Sequence, residues 1–108
     1  MNQVAVHELL KRCTTQRSLL LDVREEWEVA LGSIRLDGIE WKHIPMSRIP
    51  ERVGELDPSR SIVCICHHGV RSLQVVAFLE RQGFGSVYNL AGGIDAWSTH
   101  VDASVPRY

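Results

Sequence analysis

A cysteine between a short apolar run and a helical pattern is the feature that most constrains this chain. Residues 62–65 (Ile-Val-Cys-Ile) are continuously apolar, as is typical of a strand covered on both faces. Apolar side chains recur at helical spacing over residues 73–79. Cys66 lies between the two patterns, and Gly69 permits the positive φ that a tight turn requires. The pattern predicts a strand–loop–helix unit with Cys66 at the carboxyl end of the strand.

Such a junction is suited to negative charge on sulfur or on a bound anion. The N–H groups of a tight turn, the positive end of a helix dipole and the Arg71 guanidinium can converge on one point. Helix N-termini and neighbouring cations lower cysteine pKa values from about 8.5 to roughly 3.5–7.5. An isolated cysteine at a strand end would more simply be an inert packing residue. The Gly-Val-Arg-Ser sequence at residues 69–72 favours a nucleophilic thiolate at Cys66 instead.

Composition restricts the class of protein. A chain of 108 residues with 44% apolar content predicts one domain, residues 1–108, with a single core. Its net charge of −1, with both signs mixed along the chain, argues against nucleic acid or an anionic membrane as partner. No leader-like N-terminus and no apolar run of about 18 residues is present in the sequence, which predicts a cytoplasmic protein.

Cysteine usage agrees with a reducing compartment. The three cysteines are an odd number, and Cys64 and Cys66 are too close in sequence for an ordinary structural disulfide. Cys64 lies inside the apolar run, so packing is its expected role, with a resolving thiol as the alternative. Cys13 is expected to have no chemical role.

The two histidines after Cys66 allow two interpretations. His67 and His68 either line the rim of the loop or are solvated spacers. Together with Cys64 and Cys66 they resemble half of a zinc site. No second Cys/His pair occurs at zinc spacing, so we predict neither a metal nor a cofactor.

Apolar runs and helical patterns alternate along the chain. Strands are predicted at residues 19–23, 61–65 and 85–90, with shorter ones near 3–6 and 41–44; helices are predicted at 25–30, 48–56, 72–81 and 94–98. No regular period appears over residues 101–108. This alternation predicts an α/β fold with a mostly parallel sheet covered by helices. Ligands of such sheets bind beyond the carboxyl ends of the strands, where residues 22–24 and Cys66 should meet.

Two charged residues at the end of the first long strand are candidates for a supporting role. Asp22 either forms a turn or accepts hydrogen bonds from the cysteine loop. Arg24 is expected to pair with Glu25, Glu28 or another exposed acid, an interaction of about 0–1 kcal/mol.

In this context the chain resembles a single-domain rhodanese, a thiosulfate sulfurtransferase-like protein. The resemblance covers almost the whole length. It rests on residues 21–25 (Leu-Asp-Val-Arg-Glu) with Trp27 and Glu28, on Ile44-Pro45, on residues 62–72, and on 89–94 (Asn-Leu-Ala-Gly-Gly-Ile) with Trp97.

The resemblance implies a three-layer fold with a parallel five-stranded sheet flanked by helices on both faces. It implies that Cys66 accepts a sulfane sulfur as a persulfide and passes it to a thiol or to cyanide. Asp22 and Arg24 would support the loop. The implied substrate-binding residues are His67, His68, Gly69, Val70, Arg71 and Ser72. Residues 32–39 depart from the Gly-His-Ile-Pro-Gly-Ala of many family members, so the connection there should be altered and longer.

Three functions compete at this stage. The first is a sulfurtransferase that acts through covalent catalysis at Cys66 with a small anionic sulfur donor. The second is a phosphatase-like or arsenate reductase-like enzyme, but related enzymes of that type have five residues between cysteine and arginine, and only four separate Cys66 from Arg71. The third is a non-catalytic or sulfur-carrier module that binds a protein partner. Retention of Cys66, Gly69 and Arg71 favours the first.

Overall fold

Five parallel strands form the centre of the computed structural model, which describes residues 2–108. The strands are β1 (Gln3–Val4), β2 (Leu19–Asp22), β3 (Trp41–His43), β4 (Ile62–Ile65) and β5 (Val87–Leu90). Their order across the sheet is β1-β5-β4-β2-β3, and every neighbouring pair is parallel. The predicted parallel five-stranded sheet is therefore confirmed.

Four of the five helices in residues 2–108 connect successive strands, and the fifth follows β5. The five helices are α1 (Leu9–Gln16), α2 (Glu26–Leu31), α3 (Ile49–Arg52), α4 (Val70–Arg81) and α5 (Gly93–His100). Short 3-10 turns cover Val6–Glu8, Met46–Arg48 and Val53–Glu55. Within residues 2–108, none of these helices has the length and apolar composition needed to cross a membrane.

The core lies on both faces of the sheet, as three layers require. Leu19 and Leu21 of β2 pack on one face with residues of α3 and α4, while Leu20 packs on the other with α1 and α5. In β4, Cys64 lies on the same face as Leu19 and Leu21, and Val63 lies on the same face as Leu20. Because side chains alternate across a strand, both faces of each central strand must be apolar. This double coverage explains the continuous apolar runs in the sequence.

Two helical predictions differ from the structure. The helix predicted over residues 48–56 is divided into the α3 turn and two 3-10 turns. Helix α1 was not predicted at all. Only Leu9 and Cys13 on α1 are buried, and Leu10 is exposed, so few apolar residues mark this helix in the sequence.

Candidate active site

Cys66 follows β4 directly, and its sulfur accepts contacts from the start of α4. The backbone N–H of Gly69 lies 3.1 Å from Sγ, and the N–H of Ser72 lies 3.4 Å from it. The Ser72 hydroxyl oxygen is 3.2 Å from the same atom. Gly69 has φ +92°, a conformation that turns its N–H toward the sulfur at little cost for glycine. Donors directed at one sulfur stabilise negative charge on it.

Strand β5 and helix α5 hold this loop from the opposite side. Asn89 donates from Nδ2 to the carbonyl oxygen of Gly69 at 3.0 Å. Its Oδ1 accepts a hydrogen bond from the Ser72 hydroxyl. The single hydroxyl proton of Ser72 serves Asn89 or the cysteine sulfur, one at a time. Backbone N–H groups of Ile94 and Asp95 donate to the carbonyls of Cys66 at 2.9 Å and His67 at 3.0 Å.

Gly93 allows α5 to approach the loop this closely. It has φ +63°, and a Cβ at this position would lie 2.5 Å from the carbonyl oxygen of His67. We expect Gly93→Ala to displace the loop, to lower the unfolding free energy by about 1–3 kcal/mol and to slow Cys66 chemistry about tenfold or more. Urea unfolding and the rate of sulfur transfer measure the two effects.

Gly54→Ala is the matched control, because that site has ordinary φ and nothing within 4 Å of an added Cβ. Equal effects of Gly93→Ala and Gly54→Ala would contradict the close approach.

From the sequence, the Arg71 guanidinium is expected to be directed at the loop. In the structure it is paired with a carboxylate. Its Nη1 and Nη2 atoms donate to the two carboxylate oxygens of Glu28 at 2.6 and 2.7 Å. Glu28 is buried on α2, while Arg71 is about one-third exposed, at 33%. The hydrogen bonds from Arg71 lower the pKa of Glu28 to about 2. Arg71 and Glu28 form a bidentate ion pair whose charges cancel beside the loop.

Asp22 takes the first of its two expected roles, as a turn former, whereas the environment of Arg24 differs from expectation. The Asp22 carboxylate accepts hydrogen bonds from the backbone N–H of Arg24 at 3.1 Å and from its guanidinium at 2.7 and 2.9 Å, rather than from donors of the cysteine loop. The exposed ion pair expected for Arg24 is wrong, because Arg24 is fully buried. Its guanidinium donates further to the Gly32 carbonyl at 2.7 Å and to the Tyr108 hydroxyl at 3.1 Å. This pair acts on the loop only through neighbouring side chains.

Tyr108 joins these two ion pairs and covers the loop. Its hydroxyl accepts from Arg24 and donates to Glu28 Oε2 at 2.7 Å. Burial raises the pKa of Tyr108 to about 12, so the phenol keeps its proton at neutral pH. The ring stacks on His67 with centroids 3.8 Å apart and planes 9° apart. No local pattern indicates this role for Tyr108, because residues 101–108 lack a regular period and the contacts of Tyr108 are long-range.

His67, His68 and Val70 differ in how far their side chains are exposed. His67 is half-buried between Tyr108 and the His68 ring, whose centroid lies 3.9 Å away. Burial lowers the pKa of His67, which favours its neutral form. His68 and Val70 are exposed at the rim. His67, His68 and Asp95 place potential metal-binding atoms within 4.8 Å of one another, although Asp95 is already paired with Arg107.

Comparison with known proteins agrees with this arrangement. The family model described as "Rhodanese-like domain" matches residues 5–100. The chain belongs to the rhodanese-like family. Within this family, it is 40% identical to a protein named "Sulfurtransferase" from Allochromatium vinosum, over 92% of this chain and 90% of that relative. It is 45% identical to the "Putative sulfurtransferase YtwF" of Bacillus subtilis, over 72% and 71% of the two chains.

Solved structures agree in fold. The crystal structure of a rhodanese-related protein from Thermoplasma volcanium has a TM-score of 0.80 and 29% identity to this chain, and the match covers 94% of each. The rhodanese-like segment of residues 5–100 includes Asp22, Arg24 and the whole Cys66 loop. Tyr108 lies beyond that segment.

Proposed function

We propose that this protein is a sulfurtransferase that moves a sulfane sulfur from thiosulfate or a persulfide donor to a thiophilic acceptor through a Cys66 persulfide. The observation that carries the proposal is the pair of backbone N–H donors, from Gly69 and Ser72, directed at one cysteine sulfur. The Ser72 hydroxyl is a third donor when it is not bonded to Asn89. Similarity to proteins named sulfurtransferases supports the reaction class. The proposed site comprises Cys66, the loop residues 67–72 and the supporting ion pairs.

The proposed reaction has two displacement steps. The Cys66 thiolate attacks the outer sulfur of the donor; a new S–S bond forms, the donor S–S bond breaks, and its electron pair leaves with sulfite or with a thiolate. An acceptor thiolate or cyanide then attacks the outer sulfur and restores the Cys66 thiolate. The Gly69 and Ser72 donors stabilise the negative charge that returns to Cys66 in the second step. No cofactor is required by this scheme.

Two alternatives receive less support. A phosphatase-like or arsenate reductase-like reaction is disfavoured by the length of the loop, because four residues, not five, separate Cys66 from Arg71. A sulfur-carrier module would use the same Cys66 persulfide but deliver sulfur to a protein thiol.

All three cysteines are free thiols, which supports a reducing, cytoplasmic setting.

Mass spectrometry of the intact protein tests the proposal. After incubation with thiosulfate or methanethiosulfonate, we expect the mass to increase by one sulfur atom. Cyanide or dithiothreitol should remove this sulfur, because either reagent attacks the outer atom of a persulfide. A mass that stays unchanged with every donor would reject the persulfide mechanism.

A further inference from the structure

The pairing of the Arg71 guanidinium with Glu28 affects which sulfur donors the site can bind. We propose that the Arg71–Glu28 ion pair makes this site select organic sulfane donors with at most one negative charge on the reacting group, such as persulfides and thiosulfonates, over the dianion thiosulfate. Glu28 is then the residue that determines specificity. The inference rests on the proposed sulfur transfer and narrows its donor class.

Glu28 keeps its negative charge because every side of its carboxylate is occupied. Oε1 accepts from Arg71 and from the backbone N–H of Glu25 at 3.0 Å, while Oε2 accepts from Arg71 and from the Tyr108 hydroxyl. A carboxylate with four donors remains ionised and stays in place. Arg71 is held by a bidentate contact on a buried partner, and such contacts restrict a guanidinium to one geometry.

Two further arginines near the loop are also paired with acids. Arg24 is matched by Asp22 at 2.7 Å, and Arg107 by Asp95 at 3.0 Å. His67 is predominantly neutral at neutral pH because burial lowers its pKa. The donors that face Cys66 Sγ are the neutral groups of Gly69 and Ser72. A dianion would therefore enter a site whose three arginines are already paired with carboxylates, so that its second negative charge gains little there.

The rim offers contacts to an organic substituent. Val70 is 66% exposed and Trp27 is 63% exposed. Trp27 contacts the Tyr108 ring edge-on at 6.0 Å between centroids, and Tyr108 stacks on His67 beside the cysteine. These rings form a continuous aromatic surface from the loop to an exposed indole. Such a surface binds apolar groups, which thiosulfate lacks and an organic donor carries.

The same bond changes apply to both donor types. The Cys66 thiolate forms an S–S bond to the outer sulfur, and the donor S–S bond breaks. The electron pair leaves with sulfite from thiosulfate, with a sulfinate from a thiosulfonate, or with a thiolate from a persulfide. No other oxidant or reductant takes part. Donor charge, not the type of bond broken, therefore distinguishes thiosulfate from methanethiosulfonate in a comparison between variants.

The experiment compares kcat/KM for thiosulfate and methanethiosulfonate, with cyanide as acceptor, in the wild-type protein and in Glu28→Gln. We expect Glu28→Gln to raise the thiosulfate-to-methanethiosulfonate ratio about tenfold, or about 1.4 kcal/mol, mainly through the KM for thiosulfate. The intrinsic reactivity of each donor is the same for both proteins, so it cancels when the donor ratio of Glu28→Gln is divided by that of the wild-type protein. Glu26→Gln is the matched control, because Glu26 is an exposed carboxylate on the same helix. It should leave the ratio within about twofold.

A binding measurement separates this inference from the proposed function. Inorganic sulfate is an unreactive dianion, so protection of Cys66 from iodoacetamide reports anion binding without sulfur transfer. At matched ionic strength, sulfate should not slow alkylation of the wild-type protein and should slow it in Glu28→Gln. Protection of the wild-type protein by millimolar sulfate would overturn the inference, even if Glu28→Gln failed to fold. An unchanged donor ratio in folded Glu28→Gln would overturn it too, whereas absence of transfer from every donor would reject only the proposed function.

Discussion

Cys66→Ser is expected to take up no sulfur from either thiosulfate or methanethiosulfonate, and its rate of transfer to cyanide should fall about 10⁴-fold or more. A serine hydroxyl stays protonated at neutral pH and cannot form a persulfide. The loop donors of Gly69 and Ser72 would remain, but the atom that they stabilise would be absent. Intact mass after donor treatment, together with thiocyanate formation, measures both losses.

The other cysteines provide matched controls. Cys13 and Cys64 are fully buried in the two halves of the core. Burial raises the pKa of Cys13 to about 11 and raises that of Cys64 further, so both remain unreactive thiols. Cys13→Ala and Cys64→Ala should keep sulfur uptake, with some loss of stability from the cavity. Sulfur uptake by Cys66→Ser would show that Cys66 is not the nucleophile. Loss of uptake in folded Cys64→Ala would show that Cys64 takes part in the reaction.

The parts of the fold that could be predicted depend on local signals. Strand β4 is a continuous apolar run, and α4 has a full apolar stripe with Val75, Val76 and Leu79 in the core. Both patterns follow from how side chains alternate on a strand and repeat on a helix. The placement of Cys66 between them needs no long-range information. The residues around Asp22 also follow an apolar run. Because β2 and β4 are parallel, Asp22 and Cys66 lie at the same edge of the sheet.

The charge partners could not be predicted, because they are set by tertiary contacts. Arg71 and Glu28 are 43 residues apart, and Tyr108 and Glu28 are 80 apart. A sequence pattern shows that Arg71 begins a helix, but not which acid lies opposite it. Arg24 reads as a surface residue in the sequence because arginine is seldom fully buried. The convergence of Asp22, the Gly32 carbonyl and Tyr108 on its guanidinium makes this burial possible.

Removal of the Arg24 side chain should have the largest effect on stability. Arg24→Ala leaves the buried Asp22 carboxylate without its cation and deprives Tyr108 and the Gly32 carbonyl of a donor. Loss of one partner of a buried ion pair costs about 3–5 kcal/mol. A domain of this size is stable by about 5–15 kcal/mol, so much of the margin would disappear. Urea unfolding at neutral pH, followed by circular dichroism, measures the change.

Arg48→Ala is the control, because Arg48 also forms an ion pair, with Glu51 at 2.8 Å, but both side chains are more than half exposed, at 63% and 58%. Water solvates the two charges separately, so the loss should be less than about 1 kcal/mol. Asp22→Asn in the Arg24→Ala background should recover part of the stability, since a neutral amide replaces the unpaired carboxylate. Equal losses for Arg24→Ala and Arg48→Ala would show that burial does not set the importance of the Asp22–Arg24 pair. That result would also remove the basis for a fixed Tyr108, because Arg24 is the cation that holds its hydroxyl toward Glu28.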